Sequence, residues 1–351
     1  MATFPLLLDE GGYRATTSDL GVDADARGYW LAAFRSQLEV QLEAAAAQGA
    51  AAAVCDEARR GLEAMLTRFR DGAPGGGRFD LLVLDAWRRR VLRRAGIVDE
   101  FRHIKQRENA AALAELPAWL TRIDSAAPAE RWELIVRGLL AGNLFDMGAA
   151  ETADRFAAGV VPAADGHARV PPRPWRYDDL PEAEAWIEAA RPAAAVIFAD
   201  NAGADAVLGV LPLARWLHRR VTRVVVAANR GPSLNDVTAA ELEDLRDAAT
   251  KTDPEFAGSW LEIVDSGRTA PLIDLKRVSA RLAAAAADAE LCVLLGMGRG
   301  IESNWDARFR CASLRIAMVK DPHVARKIGA SVGDAVCRFE RGPDDATRPL
   351  L

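Results

Sequence analysis

The sequence predicts an α/β protein: a mostly parallel sheet with helices on both faces, preceded by a helical N-terminal subdomain. Three observations carry that prediction. From about residue 190, short apolar runs alternate with helix-length segments, the pattern of a sheet whose crossovers are helices. Those runs, such as Val196–Ala199 and Leu291–Leu295, lack the alternating polarity of a half-exposed strand, as expected when both faces are covered. Before residue 180 the chain is instead alanine- and leucine-rich at helical spacing.

In order, Asp23-Ala24-Asp25-Ala26-Arg27-Gly28-Tyr29-Trp30 opens one long periodic segment that runs into the alanine-rich Glu43–Val54, a composition explained by helix propensity. Residues 72–77, Gly-Ala-Pro-Gly-Gly-Gly, are a loop. Helices follow at 80–95, 105–122 and 129–141. Val170-Pro171-Pro172-Arg173-Pro174-Trp175 is a rigid connector, near which the boundary falls. Residues 1–180 form the helical subdomain that contributes to the site, 181–345 an α/β metal-binding core, and 346–351 a tail. Strands are predicted at 194–199, 223–229, 259–264, 290–296, 314–319 and 334–339. Helices fit between them at 203–219, 237–248, 274–287, 302–309 and 322–328.

Composition narrows the function. The chain has 351 residues, 50% hydrophobic, with a formal net charge of -5, which argues against a general nucleic-acid binder. The basic run Arg88–Arg94 reads as a solvated helix face with Val91 and Leu92 inward, or as an anion-attracting rim. Cys55, Cys292, Cys311 and Cys337 have neither zinc-like spacing nor a disulfide framework, which points to a reducing compartment. No leader pattern and no membrane-length segment is visible, so a soluble cytoplasmic protein without membrane or nucleic-acid partners is expected. The oligomeric state stays open, a homo-oligomer included.

The chemistry gathers at strand ends. Val196-Ile197-Phe198-Ala199 ends in Asp200-Asn201-Ala202-Gly203, and ligands of open α/β sheets sit at that edge. Asp200 and Asn201 offer oxygens suited to a divalent cation, although the same four residues are good turn and cap chemistry. The next strand leads to Asp236, a second carboxylate or the cap of the helix after it. Leu291–Leu295 runs into Gly296-Met297-Gly298-Arg299-Gly300, whose glycines suit a phosphate without completing a dinucleotide fingerprint. Lys320 ends the fifth strand. Ile104–Asn109 reads as an exposed first helical turn. In Arg137–Gly148, two helix-breaking glycines bracket Asn143 and Asp146, which are either capping something or holding a ligand. Acids and amides beside cations suit metal-assisted phosphoryl transfer or hydrolysis, with a metal-dependent hydrolase of a phosphorylated small molecule the leading reading.

Ala199–Gly203, Gly138–Asp146, Leu234-Asn235-Asp236-Val237-Thr238 and Gly296–Arg299 together resemble the damage-control phosphatase family. The likeness is greatest to its second subfamily, the phosphatase domain at the carboxyl end of the fourth pantothenate kinase isoform and its plant counterparts. Asp23–Arg27, Tyr29-Trp30, Lys105–Asn109 and Cys311–Lys320 extend it over nearly the whole chain. The resemblance implies a phosphatase using cobalt, nickel, manganese or magnesium on 4′-phosphopantetheine or its oxidatively damaged forms. It implies that Asp200, Asn201 and Asp236 hold the metal and that Lys320 contacts phosphate. Two departures touch the substrate side: Leu295 replaces the acid before Gly-Met-Gly-Arg, and Glu302-Ser303-Asn304 stands where relatives have His-Thr-Asn. No kinase segment accompanies the sequence, and a free-standing phosphatase unit is expected.

On this reading Lys320 and the backbone near Gly203 offset phosphoryl charge. Asn143 and Asp146 orient the leaving group or water, Lys105, Glu108 and Asn109 line the mouth, and Arg299, Glu302 and Asn304 belong to the substrate side. The alternatives are a nucleotide- or S-adenosylmethionine-binding transferase of carboxyl methyltransferase type using the Gly296–Gly300 turn, a sugar-phosphate phosphatase, and a binding module with a structural metal.

Overall fold

The computed structural model describes residues 1–16, 18–73, 76, 78–144 and 169–343. Asp146, the tail 346–351 and half of the 72–77 loop lie outside them. Five helices open the chain: α1 (Ala24–Ala47), α2 (Ala52–Phe69), α3 (Leu81–Arg94), α4 (Arg102–Ser125) and α5 (Pro128–Asn143). The expected continuous segment to Val54 breaks between α1 and α2, where Gly49 takes φ +93°. Gly138 and Gly142 do not break α5, which runs through both to Asn143, while Gly148 lies outside the described residues. Gly142 has its reason in packing, since a Cβ there would lie 2.6 Å from Asp205 Cα.

The rest is a seven-stranded sheet. Its strands are β1 (Tyr177–Asp178), β2 (Ala194–Phe198), β3 (Arg223–Ala228), β4 (Leu261–Asp265), β5 (Leu291–Leu295), β6 (Ala312–Met318) and β7 (Ala335–Glu340). Their spatial order is β1-β7-β6-β5-β2-β3-β4, parallel throughout except where β7 runs against β6. Helices α6 (Leu180–Ala190), α7 (Leu211–His218), α8 (Ala239–Ala249), α9 (Ala280–Ala285) and α10 (Pro322–Ile328) connect them. The sequence reading had neither β1 nor α6.

Alternate residues of β2 face opposite ways, and both ways are dry. Ala195 and Ile197 join Trp119, Trp132 and Leu139 of α4 and α5 in one cluster. Val196 and Phe198 join Phe4, Phe309 and Leu282 in another. A third cluster packs α1–α3 against Val319 and α10. Among the described residues no helix is long and apolar enough to cross a membrane.

Three expected helices differ. The 203–219 segment begins as a π-helical turn, Asp205–Val210, before α7. Pro212 has no N–H for the carbonyl of Leu208, and that carbonyl accepts from Trp119 Nε1 instead, at 2.8 Å. The 274–287 helix forms only from Ala280, because Val278 pairs with Ala2 and Ser279 caps the helix. No helix covers 302–309: a π-helical turn spans Met297–Glu302. Beyond it, buried Arg315 takes the carbonyls of Asn304 at 3.0 Å and Ala307 at 2.7 Å, which a helix would need for itself.

Candidate active site

At the carboxyl edge of β2, β3 and β5, two carboxylates converge on one guanidinium. Arg299, from the π-turn after β5, is 1% exposed and donates through Nη1 to Asp200 Oδ1. Its Nη2 lies 3.1 Å from Asp236 Oδ2 and donates to Asn229 Oδ1 at 3.3 Å. Burial pulls the guanidinium pKa down, but the two carboxylates outweigh burial and hold it above its ordinary value. Neither acid is a helix cap. Thr238 caps α8 in a capping box with Glu241, and the π-turn after β2 has no side-chain cap. Asp236 is reserved for the site, where Asn229 Nδ2 also donates to it at 2.7 Å.

Asp200 is held from three sides. Besides Arg299, its Oδ2 accepts from Asn143 Nδ2 at 2.8 Å and Asn201 Nδ2 at 3.0 Å. Gly296, at φ +83°, makes the room, because a Cβ there would fall 1.9 Å from Asp200 Oδ2. The glycine-rich turn is therefore packed on Asp200. Asn143 sits at the end of α5, its Oδ1 accepting from Met318 N at 3.1 Å and its carbonyl from Lys320 Nζ at 2.6 Å. One residue thus joins the helical half, Asp200 and Lys320.

Three buried oxygens on the two loops that carry Asp200 and Asp236 have no hydrogen-bond partner: Asn201 Oδ1, Ser233 Oγ and Asn235 Oδ1. Buried acceptors are rarely left unpaired in a finished site. Leu234 between the last two takes φ +50°, its side chain packed with Ala44 and Phe101, so α1 and α4 help shape this loop.

The remaining expected residues separate. Asn109 Oδ1 accepts from Gly203 N at 2.6 Å, and Glu108 lies over Gly203, whose added Cβ would be 3.0 Å from Glu108 Cβ. Desolvation pushes Glu108 up to about 7. Lys105 is no exposed first-turn residue: it is 1% exposed and committed to Glu241 at 2.7 Å and Asp99 at 3.2 Å. Asn304 is a bracket, accepting from Tyr13 and donating to the carbonyls of Arg299 at 2.9 Å and Ile273 at 3.2 Å. Glu302 is half-buried and acts electrostatically on Tyr29 and Lys327.

Asp205 and Asn229 did not stand out in the sequence. Asp205 Oδ2 accepts from Asn201 N at 3.1 Å and Nδ2 at 3.2 Å. Burial, and then the Asp200 carboxylate, raise its pKa. An acid opening an apolar run, and an amide directly after a strand, were the available signals.

This fold and site define a family. The damage-control phosphatase ARMT1-like domain matches residues 31–336, and the chain belongs to that family. It is 42% identical to an Arabidopsis thaliana damage-control phosphatase over 275 residues, 77% of this chain and 75% of the relative. It is 36% identical to Arabidopsis pantothenate kinase 2 over 97% of this chain and 42% of that protein. With the mouse 4′-phosphopantetheine phosphatase it shares 29% over 97% of this chain and 48% of the relative. The chain thus spans less than half the length of these two larger proteins. The crystal structure of a DUF89 family protein from Pyrococcus horikoshii matches with TM-score 0.64 and 17% identity, over 88% of this chain and 96% of that one. That likeness shows the fold.

Proposed function

We propose that this chain is a divalent-metal-dependent phosphatase acting on 4′-phosphopantetheine or an oxidised derivative, in metabolite damage control. The observation that carries the reading is the pair of buried carboxylates, Asp200 and Asp236, meeting beside an unpartnered amide oxygen, Asn201 Oδ1. Among the described residues no three or more His, Cys, Asp or Glu gather as a metal cage. The donor set here is two carboxylates and an amide, and it fits a hard cation. Asp200, Asn201 and Asp236 would hold it. A divalent cation there supplies polarisation of a phosphoryl oxygen and a bound water of lowered pKa.

The chain's own groups supply the rest. Arg299 pairs with both acids side by side, and Asn143 fixes the orientation of Asp200. Lys320, anchored on the Asn143 carbonyl, offsets charge on the phosphoryl oxygens. Glu108, poised near neutrality, holds a proton for the leaving oxygen, so turnover falls as pH rises past about 7. The mouse relative's name and the quoted motifs support the pantetheine substrate; Leu295 and Glu302 are the positions at which specificity would depart from it.

The test is phosphate release from 4′-phosphopantetheine, sugar phosphates and p-nitrophenyl phosphate with manganese, cobalt, nickel or magnesium. Release that chelator abolishes, fastest on 4′-phosphopantetheine, is expected. Silence with every cation and ester would overturn the reading.

A further inference from the structure

A second site is built beside this one, on α3. Positions 86, 89, 90, 93 and 94 recur at three- and four-residue spacing and share a helical face. With Thr269 they line an open groove of about 390 Å³, within the size range of small-molecule sites. Arg90, Arg93 and Arg94 are exposed. Arg89 is only 6% exposed, and its Nε and Nη1 are buried with no hydrogen-bond partner. The nearby acids Asp85 and Glu100 act on it electrostatically but make no hydrogen bond to Nε or Nη1. Asp85 is engaged by Arg88, while Glu100 accepts from Gln41 and is pushed by burial toward its neutral form.

A buried cation with unmade hydrogen bonds is strongly unfavourable, and desolvation accordingly lowers the Arg89 pKa. The other wall belongs to the catalytic edge. A Cβ on Gly231 would lie 3.2 Å from Thr269 Oγ1, and Arg230 N donates to the Arg268 carbonyl at 2.7 Å. Both Gly231 and Arg230 lie in the loop that carries Asn229 and Asp236.

We infer that this groove binds a phosphate-bearing small molecule, with Arg89 as the fixed donor at its base and Arg93 and Arg94 completing the grip. Guanidinium forks match phosphate oxygens two at a time, and four of them suit a multiply charged phosphate better than a lone carboxylate. Binding here does not require that the chain hydrolyse anything.

The experiment is calorimetric titration of inorganic pyrophosphate into metal-free protein at fixed ionic strength. The wild type, the double variant Arg93→Ala/Arg94→Ala, and Arg89→Met are compared. One pyrophosphate per chain is expected for the wild type, with binding at least tenfold weaker in both variants. Arg89→Met should keep or raise its thermal midpoint, because it removes an unpaired charge, so lost binding there is not lost folding. No binding to the wild type, or binding that both variants retain, overturns the site. With binding established, two sources of the anion are separated by kinetics on 1,6-hexanediol bisphosphate and p-nitrophenyl phosphate. A KM raised in the double variant for the bisphosphate alone marks the far end of a substrate; equal KM values mark a separate effector.

Discussion

Neighbouring strands β2 and β5 end in the same backbone device and deliver opposite charge. Each passes into a left-handed glycine, Gly203 or Gly296, and then a π-helical turn. After β2, Asp200 and Asn201 precede the glycine and Asp205 opens the turn; after β5 the turn itself carries Arg299. A π-turn holds one residue more per turn than an α-helix and is a frequent mark of functional positions. The difference lies in what covers each glycine. Asp200 lies over Gly296 and is matched by Arg299. Glu108 lies over Gly203, and no described side chain hydrogen-bonds or ion-pairs with it. One carboxyl is therefore paired with a cation while burial raises the pKa of the other to about 7. Two similar turns are thus differently compensated, one by a guanidinium and one by none.

Breaking the compensated side should have the largest effect. Asp200→Asn keeps the shape and removes one anion, so metal-dependent phosphate release should fall on the order of a thousandfold, with circular dichroism unchanged. Undiminished turnover would remove Asp200 from the site. Arg299→Met leaves Asp200 and Asp236 as neighbouring buried anions, and should lower unfolding stability by about 3–5 kcal/mol in urea titration. An added divalent cation should recover part of that loss, since it binds only the folded chain. A midpoint equal to the wild type would show that the guanidinium does not hold the pair.

The two glycines sharpen the contrast. Gly296→Ala combines a left-handed φ with a Cβ 1.9 Å from Asp200 Oδ2, and should destabilise by about 2–3 kcal/mol while displacing the Asp200 carboxylate. Gly203→Ala meets only Glu108, at 3.0 Å from its Cβ and 3.2 Å from Oε2, a milder overlap that should cost about 1–2 kcal/mol. Denaturant midpoints of the pair decide it; a larger loss at Gly203 would reverse the assignment.

The parallel sheet was legible because strands buried on both faces leave uninterrupted apolar runs, as in Val224–Ala228. Asp200, Asn201 and Asp236 were legible because polar residues at the ends of such runs have few structural uses. The pairing of both acids with Arg299 was not, since it joins residues 99 and 63 positions apart, by subtraction of their numbers, across three strands. The role of Gly142 was misread, because a close backbone approach leaves no trace distinct from a helix breaker. Lys105 looked like an exposed first-turn residue only because Glu241, 136 positions away, is invisible to local pattern. The arginine run on α3 was seen as charge, while the unsatisfied Arg89 within it needed coordinates.

The uncompensated carboxyl offers the subtlest test. Glu108 moves from 4.5 to about 7 on folding because burial disfavours its charge. Between those values the native chain binds more protons than the unfolded one, so this group's contribution to stability falls as pH rises through the window. It is fully present below about 4.5 and lost above about 7. The change should be on the order of 3 kcal/mol. Asp205, also raised by burial, adds a slope of the same sign, so the informative quantity is the difference between wild type and Glu108→Gln. Urea unfolding from pH 4.5 to 8 should give a flatter profile for the variant, with the curves diverging at the alkaline end, where the variant is the more stable. Parallel profiles would mean that Glu108 is solvated enough to ionise freely, and the contrast between the two strand ends would then rest on charge pairing alone.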